Sequence, residues 1–340
     1  MSATLNIGVI GLGFGSRVHV PAFRCDQRCR IAAIAGRDAE RARAVADALS
    51  IENSYDDWRS VVHNPRIDAV SIAVPPVHQP SIAIAALEAG KHVFCEKPFA
   101  TNGPEASRLF EMAKAKQLVH GIDFIFPELP LWIKARDLVR RGALGQLRHA
   151  MLNWRLETYA SKSAARSWKN DPDQGGGVLN NFVSHVVHNI TWLFGEINSV
   201  NAVLRGTERQ KETCVQATFD TKAGFPAFVS IGLDAFLGIG HRLEVFGEDA
   251  TMVLHNPTPD YASGFELYLG TRATGSLELL GRDQGKPGED GRIAPVAQLA
   301  SRFLDAILSG GEMSPSFADG LRSQLTLDQM RASNRVTRAG

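Results

Sequence analysis

Leu5-Asn6-Ile7-Gly8-Val9-Ile10-Gly11-Leu12-Gly13-Phe14-Gly15-Ser16 decides the fold of the first third of this chain. Leu5 to Ile10 is a mostly apolar run, the pattern of a strand buried on both faces. Gly11, Gly13 and Ser16 then fall at the spacing of the dinucleotide fingerprint, and a helical segment is expected from about Arg17 to Phe23. The chemistry asks for these residue types. Gly11 permits a tight turn, Gly13 lets backbone approach a pyrophosphate, and small Ser16 lets the helix pack closely on the strand, with the helix N-terminus facing the anion. Gly11, Gly13, Phe14, Gly15 and Ser16 are therefore the expected phosphate-side contacts of a bound dinucleotide.

Outward from the loop, the strand Arg30–Ala35 ends at Gly36-Arg37-Asp38, where an NAD-specific enzyme usually carries an acidic residue for the ribose 2′-hydroxyl. A glycine leaves room there, and Arg37 offers a bidentate phosphate contact with Arg41 one turn later as support, so NADP is favoured and NAD is the alternative. Arg37 is otherwise a solvated side chain. Asp38 suits the N-cap of a helix Ala39–Leu49. A short helix from Asp56 to His63, a strand Ala69–Val74 closed by Pro75-Pro76, and a helix Ser81–Ala89 with Gly90 as its C′ residue come next. The strand in Gly90-Lys91-His92-Val93-Phe94-Cys95-Glu96-Lys97-Pro98 runs straight into a Glu-Lys-Pro turn. A helix through Lys116 and a strand Leu118–Phe124 complete the half. Alternating elements of this length mean an α/β, doubly wound parallel sheet, whose ligand edge lies at the carboxyl ends of the strands. That edge collects Val74, Pro75, Pro76 and His78 beside the nicotinamide half of the cofactor, together with Glu96, Lys97 and Asp123. Asp123 either touches substrate hydroxyls or caps the next segment.

Several stretches taken together resemble the Gfo/Idh/MocA family, the relatives of glucose-fructose oxidoreductase and inositol dehydrogenase. They are Gly11-x-Gly13-x-x-Ser16-x-x-His19, Val74-Pro75-Pro76, Gly90-Lys91-His92-Val93-x-Cys95-Glu96-Lys97-Pro98, Gly175-Gly176-Gly177 with His185, and Phe317-x-Asp319-Gly320, spread over nearly the whole chain. The resemblance implies a Rossmann domain over 1–125 and a substrate-binding and oligomerisation domain over 126–340. The second would be α+β with a large, mostly antiparallel open sheet through which a homodimer or homotetramer forms. The residues agree independently. Phe126-Pro127-Glu128-Leu129-Pro130 reads as a rigid crossing into a helix Leu131–Arg141, and Leu147–Leu156 as a strand. Cys214–Phe219 and Ala227–Leu233 flank a turn, and His241–Gly247 with Thr251–His255 forms a second hairpin pattern.

After Trp168-Lys169 and the three glycines the pattern is helical, with Asn181 and His185 one turn apart. In the family this face presents an Asp and a His toward the nicotinamide and the lysine. Here His185 matches, whereas Asn181 stands for the usual Asp, Val183 for a Gly and His188 for a second Asp. Relatives often carry Trp-Arg where Trp168-Lys169 stands, so Trp168 is placed near nicotinamide and substrate; its bland reading is a cover for the domain junction. Oxidising an alcohol removes a hydride from carbon and a proton from oxygen, so a base must reach the hydroxyl. His185 is the first choice, since an unperturbed imidazole titrates near neutrality, and Lys97 would stabilise the developing negative oxygen or itself shuttle the proton. Asn181 can only orient the substrate. The catalytic set is thus Lys97, His185 and Asn181, and the substrate set adds Asp123 and Trp168. The bland reading of His185 is a satisfied core histidine among Val186, Val187 and Ile190. No metal is expected, because His185-x-x-His188 has no third ligand at suitable spacing.

Of 340 residues 44% are hydrophobic and 21% charged, enough for two domains with their own cores, and a net charge of +1 gives no basic surplus for nucleic acid or an acidic membrane. Four cysteines without paired spacing suggest free thiols, and with no signal-like or spanning run a cytoplasmic protein is expected. The leading reading is an NAD(P)-dependent oxidoreductase acting on a sugar, sugar derivative or cyclitol. Its alternatives are a catalytically silent, ligand-sensing regulator, kept open by Asn181, and a lyase or glycosidase that uses NAD transiently.

Overall fold

The apolar run Leu5–Ile10 forms β1 and sits inside a six-stranded, wholly parallel sheet. The computed structural model describes residues 4–158, 161, 167–207, 210–285 and 288–334. After β1 come a π-helical turn at Gly15–His19, α1 (Val20–Arg24), β2 (Cys29–Ala35), α2 (Ala39–Ala48) and β3 (Asn53–Tyr55). Next are α3 (Arg59–Val62), β4 (Ala69–Ile72), α4 (Gln79–Glu88), β5 (His92–Cys95), α5 (Gly103–Lys116) and β6 (His120–Ile122). The strand order is β3-β2-β1-β4-β5-β6, so the direction of winding reverses between β1 and β4 and opens a crevice above their carboxyl ends. β3 is absent from the sequence reading. Three residues are too few for a periodic signal, and only pairing with Ala33–Ala35 makes them a strand. α4 ends as Gly90 predicts: its φ is +74°, its N–H bonds Leu87 O and the Lys91 N–H bonds Ala86 O, which is the Schellman arrangement.

The second unit begins with α6 (Pro130–Arg140) and β7 (Leu147–Arg155), followed by a π-helical turn at Leu179–Val183 and α7 (Ser184–Phe194). β8 (Ile197–Thr207), β9 (Gln210–Thr221), β10 (Pro226–Gly232), β11 (Gly240–Gly247), β12 (Ala250–Asn256), β13 (Glu266–Thr271) and β14 (Glu278–Arg282) complete an eight-stranded sheet. Its order is β14-β13-β12-β11-β7-β10-β9-β8, antiparallel except where β7 meets β10. Both hairpins appear in the register the turns suggest. β8, β13 and β14 are additions to the sequence reading. Alternation sends Leu152, Trp154, Val229 and Ile231 into a core where Phe126, Trp132, His241 and Phe265 meet edge to face, with His241 stacked on Trp154 at 4.0 Å. The opposite face leaves the paired Met151 and Phe228 exposed.

The chain then returns. α8 (Ile293–Ser309) and the first part of α9 (Phe317–Ser333) belong with the parallel sheet: the two compact units are Met1–Ile125 with Arg292–Gln324, and Phe126–Gly291 with Leu325–Gly340. The second compact unit is thus discontinuous in sequence, running Phe126–Gly291 and resuming at Leu325. The reason is physical. α1 has five residues and cannot cover its side of the sheet, so Phe303 of α8 packs against Phe23 and Phe94 there, and Phe317 packs on Phe99 and His120. No helix among the described residues is long and apolar enough to cross a membrane.

Candidate active site

The hydrogen-bond ladder of the parallel sheet continues past the strands and fixes the residues at their carboxyl edge. Gly11 N–H bonds Ala35 O, Ala73 N–H bonds Ile10 O, Glu96 N–H bonds Ile72 O and Asp123 N–H bonds Cys95 O, all at 2.8–2.9 Å. The glycines of this edge have separate causes. Gly11 has φ +128° and a Cβ there would stand 2.2 Å from Ala73 O, so the turn itself demands glycine. At Gly15 a Cβ would meet Val9 Cγ1 at 3.0 Å, so Gly15 makes a close helix-to-strand contact. Buried Ser16 donates its hydroxyl to Leu12 O at 2.9 Å. A Cβ on Gly13 would meet nothing within 4 Å. The protein has no need of glycine there, and a ligand approaching the backbone does.

The room expected at Gly36 is filled by Leu12, whose Cδ1 would lie 2.3 Å from an added Cβ. Glycine at this position answers to Leu12 and is no argument for a 2′-phosphate. Arg37 and Arg41 stand exposed beside it, and Asp38 caps α2 by accepting the Arg41 N–H at 2.9 Å. The open backbone at Gly13, the turn at Gly11 and the free first turn of the following helix fit a dinucleotide.

At the carboxyl end of β4, Val74 and Pro75 are partly exposed and Pro76–His78 forms one 3₁₀ turn into α4. Buried Gln79 at its start donates to Pro98 O at 2.9 Å, and the Lys97 N–H donates to Glu96 Oε2 at 3.2 Å. The Glu96-Lys97-Pro98 turn is thus tied down on both sides of a partly exposed Lys97. Lys91, from the same motif, acts at the opposite end of β5. Its ammonium donates to Asn64 O and Ile67 O at 3.0 and 2.7 Å, and burial lowers its pKa.

A group that the sequence reading missed lies under the turn. Ser71 pairs with Phe94 and Phe94 with Gly121, so alternation places Ser71, Glu96 and Asp123 on one face. His19 covers that face with a fully buried ring: Nδ1 is 2.6 Å from Ser71 Oγ, and Nε2 is 3.1 Å from Glu96 Oε1 and 3.4 Å from Asp123 Oδ2. Asp123 is 2% exposed and sits in this cluster. Burial by itself lowers the His19 pKa, but the hydrogen bonds and charges of Asp123 and Glu96 more than reverse this and carry it to about 9. Burial and then the charge of Glu96 push Asp123 up to about 7, while Glu96, despite burial, is held below the usual carboxylate range by its bond to His19. Both carboxylates face one nitrogen, yet they shift in opposite directions. The ionised one is Glu96, the nearer partner, and the spare proton belongs to the His19–Asp123 side. The three ligand atoms lie within 4.8 Å of one another, close enough for a metal, but an imidazolium already supplies the cation.

This cluster sets a pH dependence. His19 titrates higher folded than its ordinary 6.5, so its contribution is complete below pH 6.5 and is lost as pH rises through about 9. Asp123, also raised, acts in the same direction between its ordinary 3.8 and about 7. Stability should fall on the order of 3 kcal/mol between pH 6.5 and 10 from His19. Denaturant melts at the two pH values, compared with the same pair for His19→Gln/Asp123→Asn, check it; equal losses in both proteins would remove His19 as the cause.

In the second unit the glycine run folds the segment ahead of it. A Cβ on Gly176 would stand 2.3 Å from Trp168 O, and the Gly177 N–H donates to Lys169 O at 2.9 Å. The 3₁₀ turn Trp168–Asn170 is thereby laid against the start of the helix. Asn181 N–H bonds Gly177 O, and Asn181 and His185 are both buried, 6% and 7% exposed. His185 meets Phe126 edge to face at 5.0 Å. Neighbouring Asn180 holds the backbone together: its amide donates to Gly175 O, and its carbonyl accepts from Arg331, which also pairs with Glu212.

Residues 5–124 match an oxidoreductase family with an NAD-binding Rossmann fold, and residues 132–253 match the GFO/IDH/MocA C-terminal domain. An uncharacterized oxidoreductase of Synechocystis sp. is 31% identical over 345 residues, which cover 96% of this chain and 93% of that one. A levoglucosan dehydrogenase of Pseudarthrobacter phenanthrenivorans is 34% identical over 209 residues, 59% of this chain and 54% of that one. Among solved structures, a levoglucosan dehydrogenase in complex with NADH and levoglucosan superposes with a TM-score of 0.86 at 27% identity, over 97% of this chain and 96% of that one.

Proposed function

The chain belongs to the GFO/IDH/MocA family of NAD(P)-dependent oxidoreductases, and from that premise we propose that it oxidises a secondary alcohol, or reduces the ketone, of a sugar or sugar-like polyol. The observation that carries this reading is the Lys97 turn, which both Glu96 and Gln79 hold at the ligand edge of the sheet. The nicotinamide, when bound, accepts or returns the hydride. Gly11 to Ser16 would hold its pyrophosphate, and Phe14, Val74, Pro75, Pro76 and His78 would line the rest of it. Lys97 donates a hydrogen bond to the substrate oxygen and stabilises the negative charge that grows there as the O–H proton departs. His185 takes that proton in oxidation and returns it in reduction. Asn181, neutral and acceptor-donor at once, orients a neighbouring hydroxyl, and Trp168 supplies an apolar wall for the ring.

A named relative acting on levoglucosan makes anhydrosugars and aldoses the first compounds to try. Turnover followed at the nicotinamide absorbance, with both cofactors and in both directions, tests the reading. One observation favours a second reading: Asn181 cannot carry a proton, so a ligand-binding regulator would bind cofactor and sugar and show no turnover with any of the panel.

Cofactor preference follows from Arg37, which stands exposed at the end of β2 with no acidic residue in the ribose position. Arg37→Ala should raise the Kd for NADPH about 10- to 100-fold, the worth of a charge-assisted bidentate pair, and shift the Kd for NADH by no more than about twofold. Fluorescence titrations with the two cofactors measure both, and equal shifts would sink the 2′-phosphate assignment.

A further inference from the structure

We infer that His19 is a positioning residue for Lys97, acting through Glu96. The connection is a short chain of hydrogen bonds. His19 Nε2 lies 3.1 Å from Glu96 Oε1, and the other oxygen of the same carboxylate accepts the Lys97 backbone N–H at 3.2 Å. One carboxylate thus bridges a buried imidazole and the main chain of the lysine. The ring itself has little freedom. Its Nδ1 is held by Ser71 Oγ at 2.6 Å, and its faces and edges meet Phe14 and Phe94 at 5.3 and 5.6 Å.

Charge explains why a histidine does this. Glu96 and Asp123 stand side by side because the sheet register puts Cys95 opposite Ile122, and two carboxylates that close repel each other in a buried setting. Between them lies His19 Nε2, at 3.1 Å from Glu96 and 3.4 Å from Asp123, while the Lys97 charge acts on Glu96 from the turn. Asp123 cannot leave, being 2% exposed with its Oδ1 buried and lacking a hydrogen-bond partner among the described residues. Glu96 can, since its side chain is 14% exposed. Removing the imidazolium therefore turns Glu96 toward solvent and frees the Lys97 N–H, loosening the turn that carries the ammonium. Asp123 sets the charge that makes the histidine necessary, and Ser71 sets the ring angle.

The proposal rests on the oxidoreductase reading only for its kinetic consequence, so the deciding measurement is independent of turnover. Amide hydrogen exchange on the full-length protein, resolved at the Lys97 amide, is compared for wild type, His19→Gln, Glu96→Ala, the two combined, and His19→Gln/Asp123→Asn. His19→Gln should speed exchange at Lys97 at least about tenfold while the Val9 and Ile34 amides of the central strands keep their rates. Glu96→Ala should do the same, and adding His19→Gln to it should change nothing further, because both act on one bond. Neutralising Asp123 should return the His19→Gln protein to within about threefold of wild type, a rescue that mere loss of packing would not show. Unchanged exchange at Lys97 in His19→Gln, additive effects with Glu96→Ala, or no rescue by Asp123→Asn would each overturn the inference. Should His19→Gln alone fail to fold, His19→Gln/Asp123→Asn decides by the same amide: protection supports the proposal and release refutes it. Where a substrate is turned over, kcat in His19→Gln should fall about tenfold with the cofactor KM within threefold, and a normal kcat beside a released amide would refute the link to chemistry while leaving the oxidoreductase reading intact.

Discussion

Replacing Lys97 by alanine should lower kcat by a factor of about 10² to 10⁴ while leaving the fold and cofactor binding nearly intact. The backbone bonds that hold the turn survive the substitution. Glu96 holds the Lys97 backbone N–H, Gln79 holds Pro98 O, and Glu96 N–H stays in the ladder with Ile72. What disappears is an ammonium at the carboxyl edge of β5, the group proposed to meet the substrate oxygen as it becomes negative. Truncating a partly exposed side chain of this kind changes stability by about 0.5 kcal/mol or less. Lys97→Arg should not restore the rate. A guanidinium is planar and bulkier, and it does not release a proton near neutral pH, so it fails both as a shuttle and as a point donor. Steady-state rates at the nicotinamide absorbance, with NADPH and NADH titrations on the same samples, separate the two effects. A variant with wild-type kcat would remove Lys97 from the chemistry, and a variant that no longer binds cofactor would make it a binding residue only.

The stretches that carried the sequence reading are those where a backbone requirement and a chemical requirement coincide. Gly11 is legible because no other residue survives its φ, and the parallel sheet is legible because apolar runs alternate with helical ones. Residues within one motif divide less visibly. In Gly90 to Pro98, Gly90 and Lys91 finish a helix and clamp a loop at the amino end of β5, while Glu96 and Lys97 serve the opposite edge. Spacing alone does not separate them. At Gly36 the space that the sequence suggests is taken up by Leu12, since which atom fills a missing Cβ is a tertiary fact. The His19 cluster was half readable. Alternation along β4, β5 and β6 would have put Ser71, Glu96 and Asp123 on one face had the strand ends been read together, and such a face of two acids calls for a cation. That His19 supplies it depends on the π-helical turn after the glycine loop, which no local pattern announces. The return of Arg292–Gln324 to the first unit is of the same kind: the helix is visible in sequence, the surface that it covers is not.

Gly11→Ala and Gly13→Ala, two residues apart in one loop, should fail in opposite ways. At Gly11 an added methyl would lie 2.2 Å from Ala73 O and 2.8 Å from Ala73 C, at a φ of +128° that L-residues avoid. Neither strain can relax cheaply. Gly11 is bonded to Ala35 O and Ala73 to Ile10 O, so the obstacle is the backbone of a strand end pinned on its other side. A loss of about 3–5 kcal/mol is expected from the clash and the conformation together, a large part of the stability of an ordinary domain. It should appear as a melting temperature lower by about 10 °C or more, or as failure to accumulate folded protein. At Gly13 the same methyl meets no protein atom within 4 Å. Stability should stay within about 0.5 kcal/mol of wild type, or rise slightly because alanine restricts the unfolded chain. The dinucleotide, however, needs that space for its pyrophosphate, so the Kd for NADPH and NADH should both rise at least about tenfold, a cost of about 1.4 kcal/mol. Thermal melts and fluorescence titrations on the two variants measure all four quantities. A Gly13→Ala protein that binds both cofactors as the wild type does would place the pyrophosphate elsewhere, and a Gly11→Ala protein as stable as wild type would mean that the loop is not held against Ala73 as the geometry requires.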